Sequence, residues 1–308
     1  MLKFLSEVEH NPDCVVTVGT FDGVHEGHKS LIRILVDKAK EVNGRAVLVT
    51  FDPHPREIIT PGKSGVRLLT TIQERAAILG ELGVDMMVVI PFSRDFSLLS
   101  SEAFIRDIVF AKIGLKAFVI GYDHQFGRNR EGSKATIINL GKTLGFETKV
   151  VEAHDIGEVT VSSTSVRKAL EQQGNTTLAR EFLGRPYRLR AMVVAGDGRG
   201  RKIGFPTANL RPENPKKIIP QEGVYAVEVF VDDQRYKGMM NIGTRPTFHT
   251  RDSERTLEVN IFDFDRRIYG KTIEVGFLKR IRGEKAFDSA DALVAQLQSD
   301  KAIALQAE

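Results

Sequence analysis

The chain has 308 residues, 42% of them hydrophobic and 27% charged, which is an ordinary composition for a globular protein of one or two domains. Its single cysteine excludes a disulfide within the chain, and no stretch approaches the roughly 20 apolar residues of a membrane-spanning helix. The net charge of +4 is small and scattered, so it does not indicate a nucleic-acid surface.

The N-terminal segment and the clusters of basic residues narrow the possible functions only slightly. The N-terminal segment carries acids where a secretion signal has an apolar run, so we expect a cytoplasmic protein. Basic residues cluster at 185–190, 199–202 and 280–282, and we interpret these short clusters as phosphate contacts and solvated faces. The sequence predicts small-molecule partners, with no nucleic acid and no membrane, and it does not determine whether the chain self-associates.

The first half of the chain alternates strand-like and helix-like segments. Runs rich in β-branched residues predict strands at 15–20, 46–51, 85–90, 117–120 and 148–151. Apolar residues at helical spacing predict helices at 29–41, 72–82, 102–112, 135–144 and 164–172. This alternation is typical of a parallel α/β sheet covered by helices on both faces, in which ligands bind at the carboxyl ends of the strands.

The pattern changes after about residue 184, where strand-like runs follow one another with short turns between them. These runs predict strands at 189–194, 224–231, 237–242, 255–262 and 272–277, followed by a closing helix at about 290–298. Such a pattern indicates an antiparallel barrel or sandwich. We therefore predict an α/β domain at 1–182 and a β-barrel domain at 183–308, with a hinge at 174–185.

A glycine-rich motif, Gly-Thr-Phe-Asp-Gly-Val-His-Glu-Gly-His at 19–28, follows the first predicted strand. Its three glycines let the backbone approach a ligand, and the start of the next helix attracts an anion. His25 and His28 can donate hydrogen bonds to phosphate oxygens in that position. Taken alone, two histidines at this spacing fit a structural turn with surface histidines as well as a phosphate site.

A second glycine-rich segment, Gly-Asp-Gly-Arg-Gly-Arg at 196–201, precedes Gly-Phe-Pro-Thr-Ala-Asn-Leu at 204–210. Taken alone, the first of these fits a hairpin turn as well as a small nucleic-acid-binding segment. Residues i and i+2 of an extended chain face the same side, so Thr207 and Asn209 direct two oxygen ligands toward one point, which suits Mg²⁺ beside a phosphate. Glu258 lies in a predicted strand, where the pattern alone favours a solvent-exposed carboxylate.

A set of motifs along the chain, taken together, resembles one known family. They are the segment 19–28, Phe-Asp-Pro-His-Pro at 51–55, Gly-Tyr-Asp-His-Gln-Phe-Gly at 121–127, Ser-Ser-Thr-Ser-Val-Arg at 162–167, Pro-Thr-Ala-Asn at 206–209 and Asn-Ile-Gly-Thr-Arg-Pro at 241–246. The first is similar to the H-x-G-H motif of α/β nucleotidyltransferases, and the combination resembles the bacterial bifunctional riboflavin kinase/FAD synthetase family. The resemblance spans nearly the whole chain and departs at His124, where the family has an aromatic residue.

For the first domain, the resemblance implies transfer of an adenylyl group from ATP to FMN. It places the nucleotide at Gly19, Phe21, Asp22, His25, His28, Ser163, Thr164 and Arg167. It places the flavin at Asp123, His124, Phe126 and Arg130. His28, Arg167 and a Mg²⁺ ion are the candidates for stabilising the charge of the transition state.

For the second domain, the resemblance implies phosphorylation of riboflavin by ATP. It assigns nucleotide contacts to Gly198, Gly200 and Gly204, Mg²⁺ ligation to Thr207 and Asn209, and the role of general base to Glu258. The expected enzyme converts riboflavin to FMN and FMN to FAD. Two alternatives stay open: a nucleotidyltransferase of another specificity with an attached flavin-binding barrel, and a non-enzymatic regulator that binds flavin or RNA.

Overall fold

The computed structural model describes residues 1–60, 65–121, 126–128, 131–152, 155–156, 159–196, 199–245 and 254–308. The chain divides into two compact units, Met1–Ser163 and Thr164–Glu308. Within the described residues, every helix is too short or too polar to cross a membrane.

The first unit is built on a six-stranded sheet in which every neighbouring pair is parallel. Its strands are β1 (Leu2–Phe4), β2 (Cys14–Val18), β3 (Arg45–Asp52), β4 (Met86–Pro91), β5 (Ala117–Gly121) and β6 (Glu147–Val151). Their order is β1-β4-β3-β2-β5-β6, so the direction of winding reverses at β2. A short antiparallel hairpin, β7 (Asp155–Ile156) with β8 (Val159–Thr160), follows the sheet.

Helices cover both faces of this sheet. They are α1 (Glu26–Glu41), α2 (Pro55–Ile59), α3 (Ile72–Glu81), α4 (Ser101–Ala103), which continues into a π-type helix at Phe104–Ile113, and α5 (Lys134–Leu144). Along β2, Val15 packs toward the core formed with α1 and α3, whereas Val16 packs toward the core formed with the π-type helix and α5. Burial on both faces explains why the strands read as continuous apolar runs.

The second unit is a closed barrel whose six strands pair only antiparallel, in the order β10-β13-β12-β11-β14-β9. The strands are β9 (Tyr187–Val194), β10 (Ala208–Pro212), β11 (Gly223–Val231), β12 (Gln234–Arg245), β13 (Glu254–Ile261) and β14 (Thr272–Arg282). Helices α6 (Ser163–Glu171) and α7 (Thr176–Leu183) precede the barrel, α8 (Arg199–Lys202) lies between β9 and β10, and α9 (Ala290–Gln306) ends it. Ala226 and Met239 face α9, and their strand neighbours Tyr225 and Met240 are fully buried on the opposite side.

The predicted fold class is confirmed, and several elements differ from the sequence expectations, among them the short helices α2 and α8 and the hairpin of β7 and β8, which were not predicted. Two strands, β1 and β10, were not predicted because they are short and hold little buried apolar surface. Helix α7 occupies the segment predicted as a hinge: Asn175 caps it by accepting from the N–H of Leu178, and Gly184 ends it in a left-handed conformation. Helix α9 continues to Gln306, beyond its predicted end.

Candidate functional site

The motif at 19–28 forms a loop at the carboxyl end of β2, which is the topological switch point of the sheet. Ligands of open parallel sheets bind at this position. Gly23 (φ 87°) lies between two non-glycine residues with left-handed backbone, Phe21 (φ 47°) and Val24 (φ 42°), and both of these side chains are buried. Such backbone costs roughly 1–3 kcal/mol per residue and is found mostly where a site requires it.

The two histidines of the loop lie at the start of α1. His25 is the N-cap, and its Nδ1 accepts from the backbone N–H of His28 at 3.3 Å. The proton of a neutral His25 ring therefore lies on Nε2. The two rings stack with centroids 3.6 Å apart, and the His28 ring also contacts Phe21 at 4.8 Å. Both imidazoles are thus held at the positive end of a 16-residue helix, where anions bind.

The side chain of Asp22 lies in the interior of the protein. Its carboxylate is fully buried and accepts from the backbone N–H groups of Leu69 and Thr70 at 2.8–3.1 Å. The Asp22 carbonyl accepts from the Ser163 hydroxyl at 2.8 Å, which attaches the start of the Ser162–Arg167 motif to the loop. The side chain of Asp22 therefore fixes the loop, while its backbone lies near the predicted phosphate site.

Other predicted residues of the first site lie in separate parts of the chain. Ser163 ends the first unit, and Thr164 and Arg167 lie on α6 in the second unit. Phe126 is buried, pairs with Gly132 in an isolated bridge and has its ring 6.3 Å from that of Phe104. Three predicted flavin contacts lie outside the described residues, as does one predicted nucleotide contact of the barrel: Asp123, His124, Arg130 and Gly198.

A ring chain in the first unit, which sequence reasoning did not identify, extends from the end of β3 toward Phe126. Its members are phenylalanines whose neighbouring ring centroids lie 5.5–6.3 Å apart: Phe51, Phe92, Phe96, Phe104 and Phe126. Phe51 begins the Phe-Asp-Pro-His-Pro motif and Phe126 belongs to the motif at 121–127, but no motif connected these two residues or included the three between them. The single cysteine, Cys14, does not supply a reactive thiolate, since burial raises the pKa of its thiol to about 11.

In the barrel, strand register brings the predicted kinase residues together. Asn209 on β10 lies directly opposite Glu258 on β13, and Asn241 on β12 lies opposite Glu258 on its other side. The Thr207 hydroxyl is 3.4 Å from Glu258 Oε2. Asn260 donates from Nδ2 to the Pro206 carbonyl at 2.5 Å and so holds the segment that carries Thr207. Glu258 is therefore half-buried and lies beside the predicted metal ligands.

Thr207, Asn241, Glu258 and Asn260 line a cavity of about 440 Å³. Thr207, Glu258 and Asn260 form part of its polar wall, and its apolar wall includes Phe205, Val224, Met239, Leu293 and Leu297. Gly200 also lines the cavity. A Cβ at this position would lie 2.2 Å from the Phe205 carbonyl oxygen, so only glycine fits there. Gly204 adopts φ 80° just before this segment. The combination of one polar and one apolar wall suits a flat aromatic ligand with a phosphate donor at one end.

Sequence reasoning missed the other charged residues of this cavity. Arg282, Glu284 and Lys285 line it from the end of β14. Arg282 is paired at 2.9 Å with the fully buried carboxylate of Asp300, which fixes α9 against the barrel. The basic cluster at 280–282 was a signal for Arg282, but a lone Asp300 on a helix gave none.

The donor set around Glu258 fits a hard divalent cation. Thr207 supplies a hydroxyl oxygen and Asn209 an amide oxygen, and Mg²⁺ prefers such ligands when substrate phosphates complete its shell. Clusters of three or more His, Cys, Asp or Glu side chains that could hold a metal do not occur in the described part of the chain. A bound Mg²⁺ would therefore depend on the nucleotide for most of its ligands.

Comparisons with known proteins match both halves of the chain. The family model of FAD synthetase matches residues 7–165, and that of riboflavin kinase matches residues 183–307. The bifunctional riboflavin kinase/FMN adenylyltransferase of Escherichia coli (strain K12) is 38% identical over 289 residues, covering 94% of this chain and 90% of that protein. The protein of the same name from Bacillus subtilis (strain 168) is 35% identical over 300 residues, covering 97% and 93%.

A solved structure is also similar along the whole chain. The crystal structure of a macrolide-efflux protein from Streptococcus pneumoniae has 33% sequence identity and a TM-score of 0.91, and the match covers 99% of each chain. The two family models, the curated relatives and the presence of both motif sets in their expected units lead to one conclusion. This chain belongs to the bifunctional riboflavin kinase/FMN adenylyltransferase family and contains both of its enzymatic domains.

Proposed function

We propose that the barrel phosphorylates riboflavin to FMN and that the site at the carboxyl end of β2 adenylylates FMN to FAD, with ATP as the donor in both steps. The observation that carries the proposal is the row of Asn209, Glu258 and Asn241 across three neighbouring strands, with the Thr207 hydroxyl 3.4 Å from Glu258. Glu258 and Asn241 of this row line a cavity that also has an apolar wall, as does Thr207, so the proposed base lies at a space that a ligand can occupy. A binding module would need the apolar wall but not the base.

In the kinase step, Glu258 accepts the proton of the riboflavin 5′-hydroxyl as the oxygen attacks the γ-phosphorus of ATP. The new O–P bond forms FMN, and the bond to the β-phosphate breaks to leave ADP. Thr207 and Asn209 would hold Mg²⁺, which when bound neutralises phosphate charge. Gly198, Gly200 and Gly204 would let the backbone approach the nucleotide.

In the adenylylation step, a phosphate oxygen of FMN attacks the α-phosphorus of ATP, and pyrophosphate leaves. The loop residues Gly19 and Phe21 form the floor of the phosphate site, and His25 and His28 supply donors at the N-terminus of α1. Ser163, Thr164 and Arg167 would bind the phosphate chain, with Arg167 and His28 stabilising the charge that develops.

The flavin and the domain limits complete the proposal. FMN would bind toward Phe126 together with Asp123, His124 and Arg130, next to the ring chain. The domains would be 1–182 and 183–308, and the enzyme would act in the cytoplasm on small molecules alone.

A direct assay tests the order of the two reactions. We expect the pure protein, incubated with riboflavin, ATP and Mg²⁺, to form FMN first and FAD afterwards, because the second site uses the product of the first. Supplied FMN should give FAD and pyrophosphate without a lag. The flavins are separated by chromatography, and replacement of ATP by other nucleotides measures donor specificity. Absence of both products would contradict the proposal and leave the two alternatives, a nucleotidyltransferase of another specificity and a regulator that binds flavin or RNA.

The separation of the two activities is tested with fragments. We expect the fragment 183–308 to phosphorylate riboflavin, because it contains Thr207, Asn209 and Glu258, and the fragment 1–182 to retain some adenylylation of FMN. The fragment 164–308 is the matched comparison, since it keeps α6 and α7, and α7 packs on β9 and β14. It should melt at a higher temperature, because burial of each large apolar side chain stabilises the fold by about 1.5–3 kcal/mol. A folded but inactive 164–308 would contradict the assignment of one site to each domain.

A further inference from the structure

A cluster of buried polar side chains lies beneath the loop at 19–28. Its members are at most 4% exposed: Asp22, Thr50, Thr70 and Arg75. Burying a charged guanidinium and a carboxylate costs free energy unless each is paired and hydrogen-bonded, so such clusters are kept only where their geometry is needed. Neither a nucleotide nor a flavin is required to explain the contacts within this cluster, and the proposed chemistry assigns no role to Arg75.

Arg75 holds the loop at two points. Its Nη2 lies 3.5 Å from Asp22 Oδ1, in an ion pair with a fully buried partner. Its Nη1 donates to the Thr50 hydroxyl at 3.2 Å, and that hydroxyl in turn donates to the Thr20 carbonyl at 3.2 Å. The guanidinium therefore fixes Thr20 through Thr50 and fixes Asp22 directly.

The residue between these two points is Phe21. It has left-handed backbone, is 3% exposed and contacts the His28 ring. A further bond fixes the next residue, since the Gly23 N–H donates to the Thr70 hydroxyl at 2.9 Å and Arg75 also contacts Thr70 through its carbonyl at 3.2 Å. Any shift of Arg75 is passed to the backbone of 20–23 and from there to the stacked histidines.

We propose that Arg75 is a positioning residue for FMN adenylylation, acting through Asp22 and Thr50 to hold the loop at 19–28 in its left-handed conformation. The proposal rests on the adenylylation function proposed above. It also assigns the buried carboxylate of Asp22 to the loop instead of to the nucleotide. Arg75 itself touches neither substrate, so its loss should misplace the groups that stabilise the transition state.

The test compares Arg75→Met in the full chain with Leu79→Ala, one turn further along α3. Leu79 is 1% exposed and belongs to the apolar core, so its truncation destabilises the same helix without removing any hydrogen bond or ion pair of Arg75, Asp22 or Thr50. We expect Arg75→Met to lower the kcat of FMN adenylylation about 100-fold with the KM for ATP changed less than threefold, since small misplacements of catalytic groups cost about that much. Leu79→Ala should lower the melting temperature and leave kcat within twofold at temperatures where the protein is folded.

Two further variants keep the comparison decisive. Thr50→Val is close to isosteric and removes the hydroxyl that joins Arg75 to the Thr20 carbonyl, and we expect it to lower kcat at least fivefold. Arg75→Lys keeps the charge without the forked geometry and should recover only part of the rate. Riboflavin phosphorylation by each preparation measures the amount of chain with an active barrel, and the thermal unfolding curve of each variant checks that the first unit is folded.

The outcomes separate this proposal from the function on which it rests. A wild-type chain that makes FMN but no FAD would contradict the adenylylation function itself. An active wild type beside an Arg75→Met variant with normal kcat, or a Leu79→Ala variant that loses as much kcat, would overturn the positioning role alone. If Arg75→Met does not fold, normal kcat in both Thr50→Val and Arg75→Lys would overturn it in the same way.

Discussion

Replacement of Glu258 by alanine is expected to lower riboflavin phosphorylation by about 10²–10⁴-fold, the usual contribution of a positioned general base. The carboxylate lies 3.4 Å from the Thr207 hydroxyl and directly opposite Asn209, at the edge of the barrel cavity. Its loss removes the proton acceptor for the riboflavin hydroxyl and one of the negative groups beside the predicted metal. The measurement is the initial rate of FMN formation from riboflavin and ATP.

The same chain supplies the control for this variant. FAD formation from added FMN should stay within about twofold of wild type, because that reaction uses the other unit. Glu258→Gln keeps the size of the side chain and its place opposite Asn209 but cannot accept the proton at neutral pH, so it should be nearly as slow as the alanine variant. An equal loss of both activities would point to misfolding, and a fast glutamine variant would remove the base role.

Replacement of His28 by alanine is expected to lower adenylylation of FMN by about 10²–10³-fold, the typical effect of removing one preorganised donor to a developing charge. His28 lies in the first turn of α1, stacked at 3.6 Å on the N-cap His25. The imidazole thus adds its donor to the positive end of the helix, and alanine leaves only the backbone contribution. The rate of pyrophosphate release from ATP and supplied FMN measures the effect.

Riboflavin phosphorylation is the internal reference for His28→Ala and should change less than twofold. His28→Asn retains a side-chain donor and should recover part of the lost rate, which separates donation from ring stacking. Synthesis of FAD at the wild-type rate by the alanine variant would exclude His28 from the site.

The sequence predicted the two architectures because their signals are local. In the first half, strands buried on both faces of a sheet give apolar runs that alternate with amphipathic helices. In the second half, strands buried on one face give a succession of short runs. Strand β10 escaped prediction because only Leu210 in it is buried, and this single residue makes no periodic pattern. Helix α7 did carry signals, a capping Asn175 and a terminal Gly184, but the segment 174–185 that contains it was predicted to be a hinge.

The sites were predictable only where a motif carried them. Glu258 looked like a surface carboxylate from its strand pattern, and the resemblance to a family supplied its role before the register placed it opposite Asn209. Arg75 follows Gln73 and Glu74 in the sequence, where a basic residue reads as part of a solvated helix face. Its burial depends on Asp22, which is distant in sequence, and such long-range pairing leaves no local pattern.

The two units also differ in how they end their sheets. The barrel closes between β9 and β10, so it presents no free strand edge to another chain. The parallel sheet is open, with β1 and β6 as its outer strands. Strand β1 is only three residues long, with Lys3 between the exposed side chains of Leu2 and Phe4. A short edge strand that carries a lysine is a common defence against strand addition and aggregation. The N-terminal residues therefore protect the sheet as well as extend it, and their removal would expose the longer, more apolar edge of β4 to intermolecular pairing.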